Sequence, residues 1–204
     1  GERLLFSGDQ GRPGDATMLD PDAVRQADWL VVESTYGNRH HDGQDAEDAL
    51  AAVVSRTAAR GGTVLIPSFA VGRAQSILYH LHRLKTANRI PDIPIVLDSP
   101  MAIDATEIFC RHIHDHRLNA KDCAKVFGAV RYTRSVDESK SLMQNHVNMP
   151  MIIISASGMA TGGRVLHHLR HLASDHRNAI LFAGFQAGGT RGAAMTSGAN
   201  SVKI

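Results

Sequence analysis

Short apolar runs recur along the chain, each closed by small or polar residues: 4–6, 29–32, 63–66, 95–97, 151–154 and 179–183. Continuous runs of this length, bounded by turn residues, predict strands buried on both faces, as in a parallel sheet. Between them the apolar positions fall at helical spacing. Residues 45–60 carry Ala46, Ala49, Leu50, Val53 and Val54, and Gly61-Gly62 follows as a stop signal. Residues 74–85 put Ile77, Leu78, Leu81 and Leu84 on one face, and residues 163–173 do the same with Val165, Leu166, Leu169 and Leu172. Residues 102–114 and 137–144 are further helix candidates. Strands alternating with helices predict an α/β fold: a parallel sheet with helices on both faces.

Ligands of such sheets gather at the carboxyl ends of the strands. Polar clusters follow five of the predicted strands: Ser7-Gly8-Asp9, Glu33-Ser34-Thr35-Tyr36-Gly37, Pro67-Ser68-Phe69, Asp98-Ser99-Pro100 and Ser155-Ala156-Ser157-Gly158. One such cluster is ordinary, because strand-to-helix loops need turn residues and caps. Five together predict one shared rim that binds something polar.

Composition narrows the class. A chain of 204 residues makes one large domain or two small ones. With 43% hydrophobic residues and a net charge of +2, it is not a disordered chain. No apolar run reaches the length of a membrane span, so no membrane association is expected. The first residues lack the pattern of a signal peptide, and two cysteines make no disulfide framework, so a reducing cytoplasm is the expected location. Twenty-two Lys and Arg against twenty Asp and Glu do not by themselves advertise nucleic-acid binding, but twelve histidines invite a metal or phosphate reading.

Each motif admits a chemical and a plain reading. Asp9, just past a strand, can bridge metal ions or cap a turn. Glu33 ends a predicted buried strand, where a carboxylate is costly unless paired. It either orients a catalytic histidine or sits in a structural ion pair. Tyr36, Arg39 and His41 can stack on bases and pair with phosphate, or form a solvated loop. Ser68 and the N–H groups opening the next helix can hold a phosphate, with Arg73 adding a contact; the alternative is an N-cap with Arg73 exposed. The run Gly158-Met159-Ala160-Thr161-Gly162-Gly163-Arg164 matches neither the dinucleotide fingerprint nor the P-loop, yet allows close backbone approach to an anion. His167 and His171 share a helix face, but His168 stands where a zincin would need Glu, so zinc is not expected there. Gly188-Gly189-Thr190-Arg191-Gly192 is either an anion loop or a plain turn.

Taken in order, these motifs carry a resemblance. Phe6-Ser7-Gly8-Asp9, Glu33-Ser34-Thr35-Tyr36-Gly37 with Arg39, Pro67 to Gln75, Asp98-Ser99-Pro100-Met101, and Ser155-Ala156-Ser157-Gly158-Met159 with Gly162-Gly163-Arg164 resemble the β-CASP branch of the metallo-β-lactamase superfamily. Within it, the chain looks like relatives of the cleavage and polyadenylation specificity factor nuclease. The resemblance implies a zinc-dependent ribonuclease in which a Rossmann-like β-CASP domain is inserted into an αββα metallo-β-lactamase domain. It implies that Asp9 is the metal-bridging aspartate, and that Glu33 is the acidic partner of a catalytic histidine. It further implies that Tyr36, Arg39, Ser68, Arg73, Ser99, Ser155, Ser157, Gly158 and Arg164 line the RNA cleft. Two zinc ions, single-stranded RNA as partner and a possible homodimer belong to the intact parent.

The sequence also departs from the family. The His-x-His-x-Asp-His run is missing, and so are the later ligand histidines. The nearest echo, His112 to His116, has its aspartate one position early and reads as coincidence. The chain therefore looks like a middle segment. Residues 1–41 are expected to be the end of a first metallo-β-lactamase half, 42–183 the β-CASP domain, and 184–204 a return segment. Alone, such a segment is expected to clamp RNA without cutting it and to hold no zinc tightly. The alternatives are a stand-alone nucleotide or single-stranded RNA binding module, and a DNA-processing relative.

Overall fold

The structure is a computed structural model that describes residues 1–9, 11, 13–38, 40, 45–145 and 149–204, with no side chain described at 143–145. Arg39 and His41, and the expected boundary at 41–42, lie outside the described residues.

Two parallel sheets organise the chain. The first has two strands, β1 (Leu4–Phe6) and β2 (Trp29–Val31). The second has five and contains β3 (Val64–Pro67), β4 (Ile95–Leu97), β5 (Arg131–Tyr132), β6 (Ile152–Ser155) and β7 (Ala179–Ile180), in the order β5-β4-β6-β3-β7. Every predicted strand is present. The sequence pattern missed β5, which has two residues and no apolar run.

The three central strands are apolar throughout because helices cover both faces. Successive side chains alternate between the two. Val64, Ile66, Ile95, Leu97, Ile152 and Ile154 pack on one side, against α1 (Ala46–Ala59), α2 (Arg73–Thr86), α3 (Pro100–Arg111) and α4 (Ala120–Gly128). Leu65, Val96 and Ile153 pack on the other, against α5 (Val136–Asn145), α6 (Val165–Leu172) and α7 (Arg191–Thr196). Capping residues set where the helices start. Asp45 accepts from Glu47 N and Asp48 N, Ser99 from Ala102 N, and Asn119 from Asp122 N. The short helices α4 and α7 lie in stretches too polar or too brief for a clear period.

The first sheet departs from expectation. Leu4, Phe6, Trp29, Leu30, Val31 and Val32 are 49–65% exposed rather than buried. The reason is the absence of a covering layer: among the described residues no helix packs on this pair. The expected single rim is thus divided between two sheets, with Asp9 and Glu33 at one and the serine motifs at the other. A latch ties the first segment to the second sheet's helices. Arg117 donates its backbone N–H to Thr17 O (2.8 Å), its Nε to Met18 O (2.8 Å) and its Nη2 to Asp20 (2.7 Å).

These exposures make a prediction. Ile154→Ala removes a fully buried side chain and is expected to cost about 2–5 kcal/mol. Leu30→Ala, at 60% exposure, should change stability by no more than about 0.5 kcal/mol. Urea unfolding of the two variants checks the contrast.

Candidate nucleic-acid interface

The rim of the large sheet is built where β4, β6 and β3 end side by side. Pro67 pairs in register with Ser155. Ser68 N donates to Ser155 O, and Asp98 N to Ile154 O, each at 2.9 Å. Ser68, Ser99 and Ser155 therefore cluster at one edge, as the strand-end pattern implied.

Their hydroxyls, however, are turned inward. Ser155 Oγ donates to the Asp98 carbonyl at 2.8 Å, and Ser155 has no exposed surface. Ser99 Oγ caps α3 and Ser68 Oγ donates to Phe69 O; both residues are nearly buried. Ser157 Oγ accepts from Thr161 N (3.0 Å) and Gly162 N (3.3 Å), closing its own loop. These hydroxyls thus help to hold the rim: Ser68 and Ser155 donate to backbone carbonyls, and Ser99 and Ser157 accept from backbone N–H groups.

Beneath the rim lies a buried charge cluster that the motif reading passed over. Asp98, with no exposed surface, receives Arg164 Nη1 (2.7 Å) on one oxygen. The other oxygen receives His168 Nε2–H (2.6 Å) and the Ser139 hydroxyl. Burial pushes the Asp98 carboxyl up, but the hydrogen bonds from His168, Ser139 and Arg164 outweigh it and hold it below the ordinary range. Arg164 also donates to Thr133 O (2.9 Å) and Arg134 O (2.8 Å), and its side chain is only 17% exposed. Its expected contact with phosphate is corrected accordingly: this guanidinium is a strut between α6, β4 and the β5–α5 loop. A signal for the cluster existed in the sequence. The rule that a carboxylate ending a buried strand needs a partner applies to Asp98, not to Glu33.

What the rim leaves exposed is different in kind. Arg73 opens α2, is exposed and has no ion-pair partner among the described residues. The N-cap of α2 is Gly72, so no side chain caps this helix. Beside it stand Phe69, Val71 and Met101, at 48%, 73% and 68% exposure. Gly158 fits under Phe69: a Cβ there would sit 2.9 Å from both the Phe69 backbone N and its ring Cδ2. At Gly163, φ is +78° and a Cβ would meet Ala156 O at 2.5 Å, so only glycine closes this loop.

Asp9 and Glu33 leave the same end of the small sheet, since Phe6 pairs with Val31 in register. Glu33 is exposed, and its carboxylate accepts from Thr35 N at 2.9 Å. That bond and the Thr35 hydroxyl hold its carboxyl below the ordinary value. No histidine among the described residues pairs with it. Tyr36 approaches the rim from this side. Its hydroxyl accepts from Phe185 N (3.2 Å), and the two rings meet edge to face at 6.0 Å. Gln186 next to Phe185 donates to Gly158 O (3.2 Å), so Phe185 and Gln186, neither singled out from sequence, join the two rims. Tyr36 is still 40% exposed.

The remaining motifs resolve toward their plain readings. Thr190 caps α7 and Arg191 Nη1 donates to Ala160 O (2.9 Å), so this glycine-rich stretch is a turn. His116 stacks on Phe109 at 3.8 Å and uses both ring nitrogens on backbone groups. Among the described residues no three His, Cys, Asp or Glu side chains are grouped to hold a metal. The zinc implied by the family resemblance therefore does not fit the residues described: Asp9 has no co-ligands here.

Comparison with known proteins agrees with the fold. The Beta-Casp domain family matches residues 74–195. Ribonuclease TTHA0252 of Thermus thermophilus is 37% identical over 212 residues, covering all of this chain and 48% of its own. An RNase J-like protein of Methanocaldococcus jannaschii is 32% identical over 211 residues with the same coverage. Transcription termination factor FttA of the same archaeon is 35% identical over 199 residues, covering 92% of this chain and 31% of its own. The chain thus spans about half or less of the length of these relatives. It belongs to the β-CASP family.

The Asp98 cluster sets a prediction. Asp98→Asn leaves Arg164 without its counter-charge and should lower unfolding free energy by about 3–5 kcal/mol at neutral pH. Because the folded carboxyl titrates below its unfolded value, the ion pair's contribution is complete above about pH 4 and fades as pH falls through the folded pKa. The gap between parent and variant should therefore narrow in acid, as read by urea unfolding at several pH values.

Proposed function

We propose that this β-CASP chain is the RNA-gripping part of an RNA-cleaving protein, and that the rim around the α2 N-terminus is the gripping surface. The observation that carries the reading is the juxtaposition of the exposed Arg73 at the start of α2 and the exposed ring of Phe69. A guanidinium makes a bidentate contact with phosphate, and an aromatic ring offers a stacking face to an unpaired base. Single-stranded RNA supplies both phosphate and base. The name ribonuclease on a relative that covers the whole chain supports RNA as the polymer.

In this reading Asp9 and Glu33 are the catalytic carboxylates of the whole protein, with Asp9 its metal-bridging residue. Tyr36 carries the RNA path from the small sheet toward the rim, and Arg39 is a further RNA contact. Ser68, Ser99, Ser155, Ser157, Gly158 and Arg164 act by shaping that rim from inside. Zinc remains part of the proposal for the whole protein only, and the chemistry of cleavage is not assigned to this chain. A second reading, a binding module without catalysis, is favoured for the chain taken by itself by the lack of co-ligands around Asp9 among the described residues.

Two outcomes test this. The chain should bind a fluorescent single-stranded RNA weakly, since its net charge of +2 provides little long-range attraction. Arg73→Ala should weaken binding on all sequences alike and lower the salt slope by about 1. Unchanged affinity and slope in this variant would remove the α2 N-terminus from the RNA path. Elemental analysis after dialysis should find less than stoichiometric zinc, and Asp9→Ala should leave the chain's RNA affinity unchanged. Tightly held zinc lost on that substitution would overturn the division of labour between the two sheets.

A further inference from the structure

A groove of about 330 Å³ runs between α5 and α6, on the sheet face opposite α1 to α4. Lys140 lines it from α5, and His167 and His171 line it from α6, where the two histidines share a face. All three are exposed and have no ion-pair partner among the described residues. No carboxylate is among the described residues that line the groove. Arg164, at the rim end, adds N–H groups whose charge is already balanced by Asp98.

Its floor has a polar atom with an unmet need. His168 has no exposed surface and lines the groove. Its Nε2 hydrogen is committed to the Asp98 carboxylate. Its Nδ1 is buried and has no hydrogen-bond partner. With Nε2 donating to Asp98, an unprotonated Nδ1 is an acceptor without a donor, a need that a hydroxyl meets. A buried polar atom without a partner is rare enough to require an explanation.

We propose that this groove is a second binding site, apart from the RNA path, for a small phosphomonoester that also carries hydroxyl groups, such as a sugar phosphate. The three cationic or donor side chains meet the phosphate oxygens, and a small movement of the His168 ring opens its buried Nδ1 to a ligand hydroxyl. The volume lies at the small end of ligand pockets, which suits a phosphorylated sugar and not a stretch of polymer. A phosphomonoester carries up to two negative charges at neutral pH, matching a site with several donors and no acid.

The test is independent of RNA binding. Ribose 5-phosphate, inorganic phosphate and ribose are each titrated into the chain by calorimetry, alone and with single-stranded RNA present. Ribose 5-phosphate should bind saturably and more tightly than inorganic phosphate, and ribose should not bind detectably. The double variant Lys140→Ala/His171→Ala alters exposed positions only, and its circular dichroism checks that the fold is kept. It should lose affinity by about tenfold or more, as expected when charge-assisted hydrogen bonds are removed, while Arg73→Ala binds like the parent. Equal affinity in the folded double variant, or no saturable binding of ribose 5-phosphate, overturns the site. Displacement of the sugar phosphate by RNA would overturn its separation from the RNA path.

Discussion

Asp98 carries its charge at the end of a central strand, with no surface exposed to water. An isolated carboxylate there would be untenable. It is retained because Arg164, His168 and Ser139 converge on it from α6 and α5. The same guanidinium then reaches Thr133 and Arg134, and the same backbone carbonyl receives Ser155. One side chain thereby links the ends of β4 and β6, the loop after β5 and the starts of two helices. The rim keeps its shape because this cluster leaves those loops little freedom.

This arrangement separates two tasks that a motif reading merges. Small polar residues at strand ends look like ligands for phosphate. Here most of them bond nearby backbone groups, and the outer surface is left to Arg73, Phe69, Val71 and Met101. A surface of that kind is suited to a polymer with alternating charge and flat rings. In the proposed reading, rigidity comes from the layer beneath, and contact from the layer above.

The small sheet tells a complementary story. Its strands are as apolar as those of the large sheet, yet its side chains stand in solvent. Apolar strands demand cover, and the relatives are about twice as long as this chain or longer. Among the described residues, no group of three possible metal ligands gathers around the carboxylates at its end. The proposed gripping surface therefore lies in the part of the chain that completes its own core.

Apolar runs of three to five residues, alternating with helical periods, were enough to predict the α/β class, every strand of the central trio and the helices from α1 to α3, α5 and α6. They were enough because a parallel sheet covered on both faces needs uninterrupted apolar strands, and few other folds do. The order of motifs also carried the family. The sequence did not reveal which polar residues would be consumed inside. Arg164 and His168 lie 66 and 70 positions from Asp98, and their meeting depends on β6 entering the sheet between β3 and β4. Nor does local pattern distinguish a covered apolar strand from an uncovered one. Both are written with the same residues, and only the tertiary structure decides which faces find a partner.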